Sequence, residues 1–198
     1  MKITLLFSFS VFLALSGCRE SMAPNEDVPT LNQRFHGKYR PVSSIAEEVV
    51  DLNFDGKPSA DLLAEIRDLA TTDLRIDIYG PNKHLAKRSY LFYQQWPEQY
   101  VYNSSTRKEP TAYDSVATVN YNRQGATRQF EFDQSIKQIY VQPDETPLAY
   151  PERFPLPESA TIEDGNMIRV VNRKRFYTRS GWKSMRVETV YKRYTTAT

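Results

Sequence analysis

The chain has 198 residues, 26 Lys and Arg against 24 Asp and Glu, 40% hydrophobic and 13% aromatic residues, and a single Cys. A formal charge of +2 supplies no broad positive field for phosphates, which excludes nucleic acid as a partner class. Plentiful aromatics and one Cys set aside a disordered chain, a collagen-like chain and a disulfide scaffold, and the length is that of one domain able to bury roughly 70% of its unfolded surface.

Residues 1–17, MKITLLFSFSVFLALSG, begin with a Lys, run apolar over 3–15 and end in small residues, the pattern of a secretory signal peptide. The run is shorter than the roughly 20 residues of a membrane-crossing helix, and Arg19 and Glu20 end it. Leu15-Ser16-Gly17-Cys18 resembles the processing box of bacterial lipoproteins, which implies cleavage before Cys18 and acylation of its thiol. An acylated Cys18 is neither nucleophile nor disulfide partner. Its acyl chains would hold the protein to a membrane, each buried methylene contributing about 0.8 kcal/mol. Residues 18–34, polar and Pro-containing, are expected to form a flexible tether. Arg19 rather than Asp after the Cys implies, by the same resemblance, delivery to the outer membrane, and Glu20, Glu26 and Asp27 loosely resemble acidic export signals, with either membrane face left open.

Residues 35–198 read as a single domain of short alternating segments. Strands are expected near 39–50, 74–79, 89–94, 100–103, 113–122, 127–132, 136–142, 166–178 and 185–192, each ending at Gly, Pro, Asn or Asp. In the last, Met185, Val187, Thr189 and Tyr191 share one face and Arg186, Glu188 and Lys192 the other, as in a strand with one wet side. After the first strand, Asp51-Leu52-Asn53-Phe54-Asp55-Gly56 sets side-chain oxygens at alternate positions before a Gly that can turn the chain, as a calcium loop of the EF-hand type requires. Asp61 and a backbone carbonyl near Lys57 add oxygens, while Leu62 occupies the usual place of the bidentate carboxylate. Two readings stand side by side: a structural calcium site made by Asp51, Asn53, Asp55, Lys57 and Asp61, or an Asp-Gly turn joining a strand to a capped helix. That helix is expected over 60–69, capped by Ser59, with Leu62, Leu63, Ile66 and Leu69 on one face packing against the core.

The middle of the chain concentrates Tyr90, Phe92, Tyr93, Trp96, Tyr100, Tyr102, Tyr113 and Tyr121. Most are expected in the core. Tyr90, Phe92, Trp96, Tyr100 and Tyr113 are the candidates to line a pocket for an apolar or amphipathic ligand, and exposed rings can stack on sugars. His36 and His84 belong to no metal-ligand spacing and are expected to be bystanders. Glu47-Glu48 and Asp144-Glu145 would point to opposite faces of a strand, as would Lys174 against Arg173 and Arg175. The Pro-rich 148–158 reads as an ordered surface loop, and residues 163–166 and 179–181 as hairpin turns. With no nucleophile elbow or phosphate loop, no catalytic residue is proposed.

The start of the first strand, Gly37-Lys38-Tyr39-Arg40, the Asp51 to Gly56 loop leading into Ser59-Ala60-Asp61-Leu62-Leu63, and the closing Val187-Glu188-Thr189-Val190-Tyr191-Lys192-Arg193 resemble lipocalin-like lipoproteins of Bacteroidota, with Tyr39 where lipocalins usually carry Trp. The resemblance implies a small barrel on the outer membrane. The expected fold is mainly β: an antiparallel meander closing into a lipocalin-like β-barrel with one short helix, a two-sheet sandwich being the alternative. Two functions are expected ahead of an enzyme. One is a non-enzymatic lipoprotein holding a small apolar or amphipathic ligand in an open barrel; the other is an accessory envelope lipoprotein with a filled barrel, docking a protein or glycan partner.

Overall fold

The computed structural model describes residues 26–81, 89–144, 153–164 and 166–198. The signal peptide, Cys18, His84 and Glu145 lie outside the described residues. Among those described, 57% are in strands and 10% in helices. The order is α1 (Val28–Phe35), β1 (Gly37–Val50), β2 (Ser59–Asp61), α2 (Leu62–Glu65), a 3-10 turn (Leu69–Thr71), β3 (Leu74–Tyr79), β4 (Ser89–Asn103), β5 (Ala117–Phe132), β6 (Ile139–Val141), β7 (Ser159–Glu163), β8 (Met167–Thr178) and β9 (Gly181–Thr195).

Eight of these strands form a nearly closed antiparallel barrel. From β3 to β6 and from β7 to β9 each strand pairs with the next, and β1 lies between β3 and β9. The first and last strands therefore close the cylinder, in register from Lys38↔Thr195 to Ala46↔Val187. The seam falls in mid-chain, where β6 and β7 are joined by a bridge at Gln138↔Thr161 and by the Ile162 N–H donated to the Lys137 carbonyl at 2.8 Å. β2 is a short addition to β1. The barrel rather than the sandwich is the fold, and closure removes the edges that so many strands would otherwise expose.

Several boundaries differ from the expected ones for physical reasons. Residues 89–94 and 100–103 are two parts of β4, which continues through Pro97 because β3 ends at Leu74↔Gln94 and leaves that edge without a partner to donate to. Residues 117–122 and 127–132 likewise join as β5, leaving Tyr113 outside the strand. The expected helix over 60–69 is shorter. β1 takes up the backbone of Ser59 and Asp61, so the helix begins at Leu62 with Asp61, not Ser59, as its cap, accepting from the Leu63 N–H at 3.0 Å. Glu47 and Glu48 are both exposed, near a register shift in the β1–β2 ladder. Part of the stretch read as tether is α1, capped by Asp27, with Leu31 and Phe35 buried one helical turn apart.

A space of about 910 Å³ runs along the β6–β7 seam, lined by Phe132, Gln138, Ile139, Tyr140 and Ala160, and two apolar clusters lie inside the barrel. One gathers Leu31 and Phe35 of α1 with Tyr39, Ile76, Phe92, Phe130, Ile168 and Tyr191; the other gathers Leu62 of α2 and Ile66 with Ala46, Leu52, Trp96, Phe176 and Val187. Each cluster thus carries its own helical cover. The outward strand faces carry charge: Arg169 bonds Glu163 at 2.5 Å and also Glu188, Arg173 reaches Glu158 at 3.2 Å, and Arg186 reaches the same carboxylate at 3.4 Å. A membrane-spanning barrel would turn an apolar band outward. Here the outward faces of β7, β8 and β9 carry ion pairs, while Val42, Ile45 and Val49 of β1 are exposed. Among the described residues no helix is long and apolar enough to cross a membrane.

Candidate functional site

Polar side chains occupy the interior alongside the two clusters. Gln94 Nε2 donates to Asn172 Oδ1 at 2.9 Å and to Tyr191 Oη at 3.0 Å, while the buried hydroxyls of Ser44 and Thr189 lie 2.9 Å apart. The inward phase of β8 also buries Lys174, opposite in facing to Arg173 and Arg175, as the alternation requires. Its Nζ lies 3.2 Å from Glu98 Oε1 and 4.8 Å from the centre of the Trp96 ring. Burial pushes the Lys174 pKa down and that of Glu98 up, and their mutual attraction opposes both shifts. Arg128 bonds the Asp144 carboxylate at 2.7 Å and the Phe154 carbonyl at 2.7 Å, holding residues 153–155 over this centre. The space left there, bounded by Phe92, Trp96, Gln124, Arg128, Phe154 and Lys174, is about 20 Å³. That admits a single water rather than a substrate.

The five aromatic ligand candidates do not converge. Tyr90 and Phe92 belong to one apolar cluster and Trp96 to the other. Tyr100, half-buried, lies under the Arg153 guanidinium at 4.5 Å. Tyr113 alone among the five is exposed, at 40%.

The Asp51 loop is held by its own backbone. Asp51 Oδ2 accepts from the Gly56 N–H at 3.1 Å, Asn53 Oδ1 from Asp55 at 2.9 Å and Asp55 Oδ1 from Lys57 at 2.8 Å. Asp61 is turned to the start of α2. The cationic partner of Asp51 is Arg179 from the β8–β9 turn, with Nε at 3.3 Å from Oδ2 and Nη2 at 3.2 Å from the Phe54 carbonyl. Asp51 Oδ1 is buried without a hydrogen-bond partner among the described residues, a feature that an added cation would answer. No three His, Cys, Asp or Glu side chains among the described residues gather as a metal site. Phe54 has φ 59°, a conformation that costs a bulky residue of order 1–3 kcal/mol and persists only where the surroundings enforce it. Here its carbonyl accepts from Arg179, and the Leu52 and Asn53 N–H groups just before it donate to the Glu65 carboxylate.

Beside that loop lies a cleft of about 310 Å³, lined by Phe54, Tyr113, Asp114, Ser115, Val119, Tyr177 and Arg179. Its aromatic wall is built in layers. Tyr113 stacks on buried Tyr177 with ring centres 6.2 Å apart, Tyr177 meets the Trp182 edge at 5.3 Å, and the Arg175 guanidinium covers Trp182 at 3.8 Å. Tyr177 is fixed at its backbone by Gln99, whose Oε1 accepts its N–H at 2.7 Å, and its hydroxyl accepts from the Asp114 N–H at 2.6 Å. Trp182 Nε1 donates to the Pro110 carbonyl at 3.0 Å and ties down the β4–β5 connection. Hydrogen bonds from Asn103 and from the Val116 N–H hold the Asp114 carboxyl below the usual carboxylate range. Of this site the sequence singled out Tyr113 alone. Phe54, Tyr177 and Arg179 come from three separate segments, and no local pattern announces their meeting.

The fold and these sites define a class: a small, nearly closed antiparallel barrel with two apolar clusters inside and an aromatic cleft beside the Asp51 loop. No protein-family model, curated protein or solved structure matches the chain.

Proposed function

We propose that this chain is a non-enzymatic lipoprotein of the cell envelope, held at the outer membrane by an acylated Cys18, and that it works through its surface on a protein or glycan partner. The observation that carries the reading is the packed centre of the barrel around Lys174. Inward side chains from every wall meet in two apolar clusters with hydrogen-bonded polar groups beside them, and the space beside Lys174 is about 20 Å³, against the few hundred Å³ of a small-molecule pocket. The outward ion pairs fit a barrel standing in water on a tether, and the signal-like residues 1–17 ending at Cys18 supply the anchor. The Asp51 loop reads best as a turn clamped by Arg179, since the side-chain carbonyl of Asn53 and a carboxylate oxygen of Asp55 are taken up by the loop's own N–H groups and Asp61 is turned to α2.

Native mass spectrometry of the protein purified from its own envelope tests this. The expected spectrum is a chain beginning at acylated Cys18 with no small molecule retained. A stoichiometric apolar molecule that stays with the folded barrel would overturn the surface reading in favour of an interior ligand.

A further inference from the structure

We infer that the cleft between the Asp51 loop, the β8–β9 turn and the start of β5 binds a neutral sugar unit of a glycan; this rests on the reading of a barrel that acts through its surface.

The cleft is prepared before any ligand arrives. Tyr113 offers an exposed ring face, and Tyr177, Trp182 and Arg175 are layered behind it. Phe54 lines the same cleft in a conformation its own backbone disfavours, its carbonyl accepting from Arg179. Ala117 and Val119 of β5 add apolar surface to the cleft beside Ser115. Two aromatic side chains lining one open cleft suit a flat, apolar-faced ligand.

Charge selects among such ligands. Arg179 is compensated by Asp51, Asp114 is satisfied by Asn103 at 2.7 Å and Val116 at 3.0 Å, and Arg175 is paired with Glu109 at 2.7 Å. The two guanidinium groups are each paired with a carboxylate, while Asp114 is held by neutral donors and keeps its negative charge, so the cleft offers no free cation to draw an anion. What remains are neutral or compensated hydrogen-bonding groups at the rim: the exposed hydroxyl of Ser115 and the Nη1 edge of Arg179, neither with a hydrogen-bond partner among the described residues. A pyranose matches this set, with C–H groups on its faces and hydroxyls around its edge. A volume of about 310 Å³ lies at the small end of ligand clefts.

The test uses the full-length lipidated protein in detergent micelles, screened on an array of neutral gluco-, xylo-, manno- and chito-oligosaccharides, with hits measured by titration calorimetry. Binding of at least one of these series is expected. Tyr113→Ala should weaken it tenfold or more, and so should Phe54→Gly, which suits the positive φ and removes the ring without straining the fold. Tyr194→Ala, an exposed aromatic on the last strand, should leave the affinity unchanged. No binding to any series overturns the inference. Binding indifferent to both cleft variants also overturns it, yet leaves the surface reading standing; only a molecule retained in the barrel interior would remove that reading.

Discussion

Lys174 and Glu98 are each other's principal compensation in the interior, and neither is stable there alone. Taking two charges out of water is costly, and their attraction returns that cost only while both are present. Glu98→Gln should therefore destabilise the barrel by about 3–5 kcal/mol, because it leaves a buried ammonium unpaired. The pH dependence has a definite sign. The folded pKa of Lys174 lies below its ordinary 10.5, so between the two values the unfolded chain holds more protons and stability rises with pH. Without Glu98 the Lys174 pKa falls further, so the deficit of Glu98→Gln should shrink as pH rises from the variant's Lys174 pKa to the wild-type one and stay level above it. The double variant Glu98→Gln with Lys174→Met removes the stranded charge and should recover most of the loss at neutral pH. Urea unfolding of the three proteins at neutral and alkaline pH checks this, and a double variant as weak as the single one would contradict it.

Elements are placed by the few positions where backbones come close. β1 enters the barrel at Gly37, pairs there with Ile76 of β3, and runs against β9 from the next residue on. A Cβ on Gly37 would lie 2.2 Å from the Thr195 carbonyl oxygen, a backbone atom of the closing strand that cannot swing aside. Gly56 offers the contrast: its φ is also positive, at 82°, but a Cβ there meets nothing within 4 Å. Gly37→Ala should cost about 3 kcal/mol through displaced backbone, and Gly56→Ala only about 1 kcal/mol through its dihedral. Thermal melts of the two variants compare them, and equal shifts would show that closure at Gly37 is looser than the geometry implies. The helices follow a related logic. α1 has only eight residues, too few to persist alone in water; burial of Leu31 and Phe35 and the Tyr39 hydroxyl donated to the Phe35 carbonyl at 2.6 Å hold it to the barrel.

At the scale of the whole molecule the cylinder is unevenly closed. The β4–β5 and β8–β9 ladders run long and in continuous register, from Leu91↔Gln129 to Asn103↔Ala117 and from Met167↔Lys192 to Thr178↔Gly181. Among the described residues, the seam between three-residue β6 and five-residue β7 has a single bridge and one further backbone bond. Local opening follows the fewest buried contacts and ladder bonds. Native-state hydrogen exchange should find the Ile162 amide and those of β6 less protected than the amides shared by β8 and β9, by tenfold or more. Uniform protection around the barrel would mean that the seam opens only with the whole fold.

The sequence by itself settled the local facts. Alternation in 185–192 and in the basic run around Lys174 assigned strands and their faces, the 179–181 turn placed a hairpin, and the stripe of Leu62, Ile66 and Leu69 was rightly read as core. These properties have short periods and rest on neighbouring residues, so a single chain reveals them. Partners distant in sequence were decided by the tertiary structure alone. Arg179 meets Asp51 across 128 positions and Lys174 meets Glu98 across 76; Tyr113 finds Tyr177 only because the β4–β5 connection folds back over the barrel end. The register of closure chooses such pairs. α1 hid for a similar reason: Asp27, Leu31 and Phe35 carry a cap and a spacing, but a helix of that length exists only once the barrel gives Leu31 and Phe35 an interior to enter.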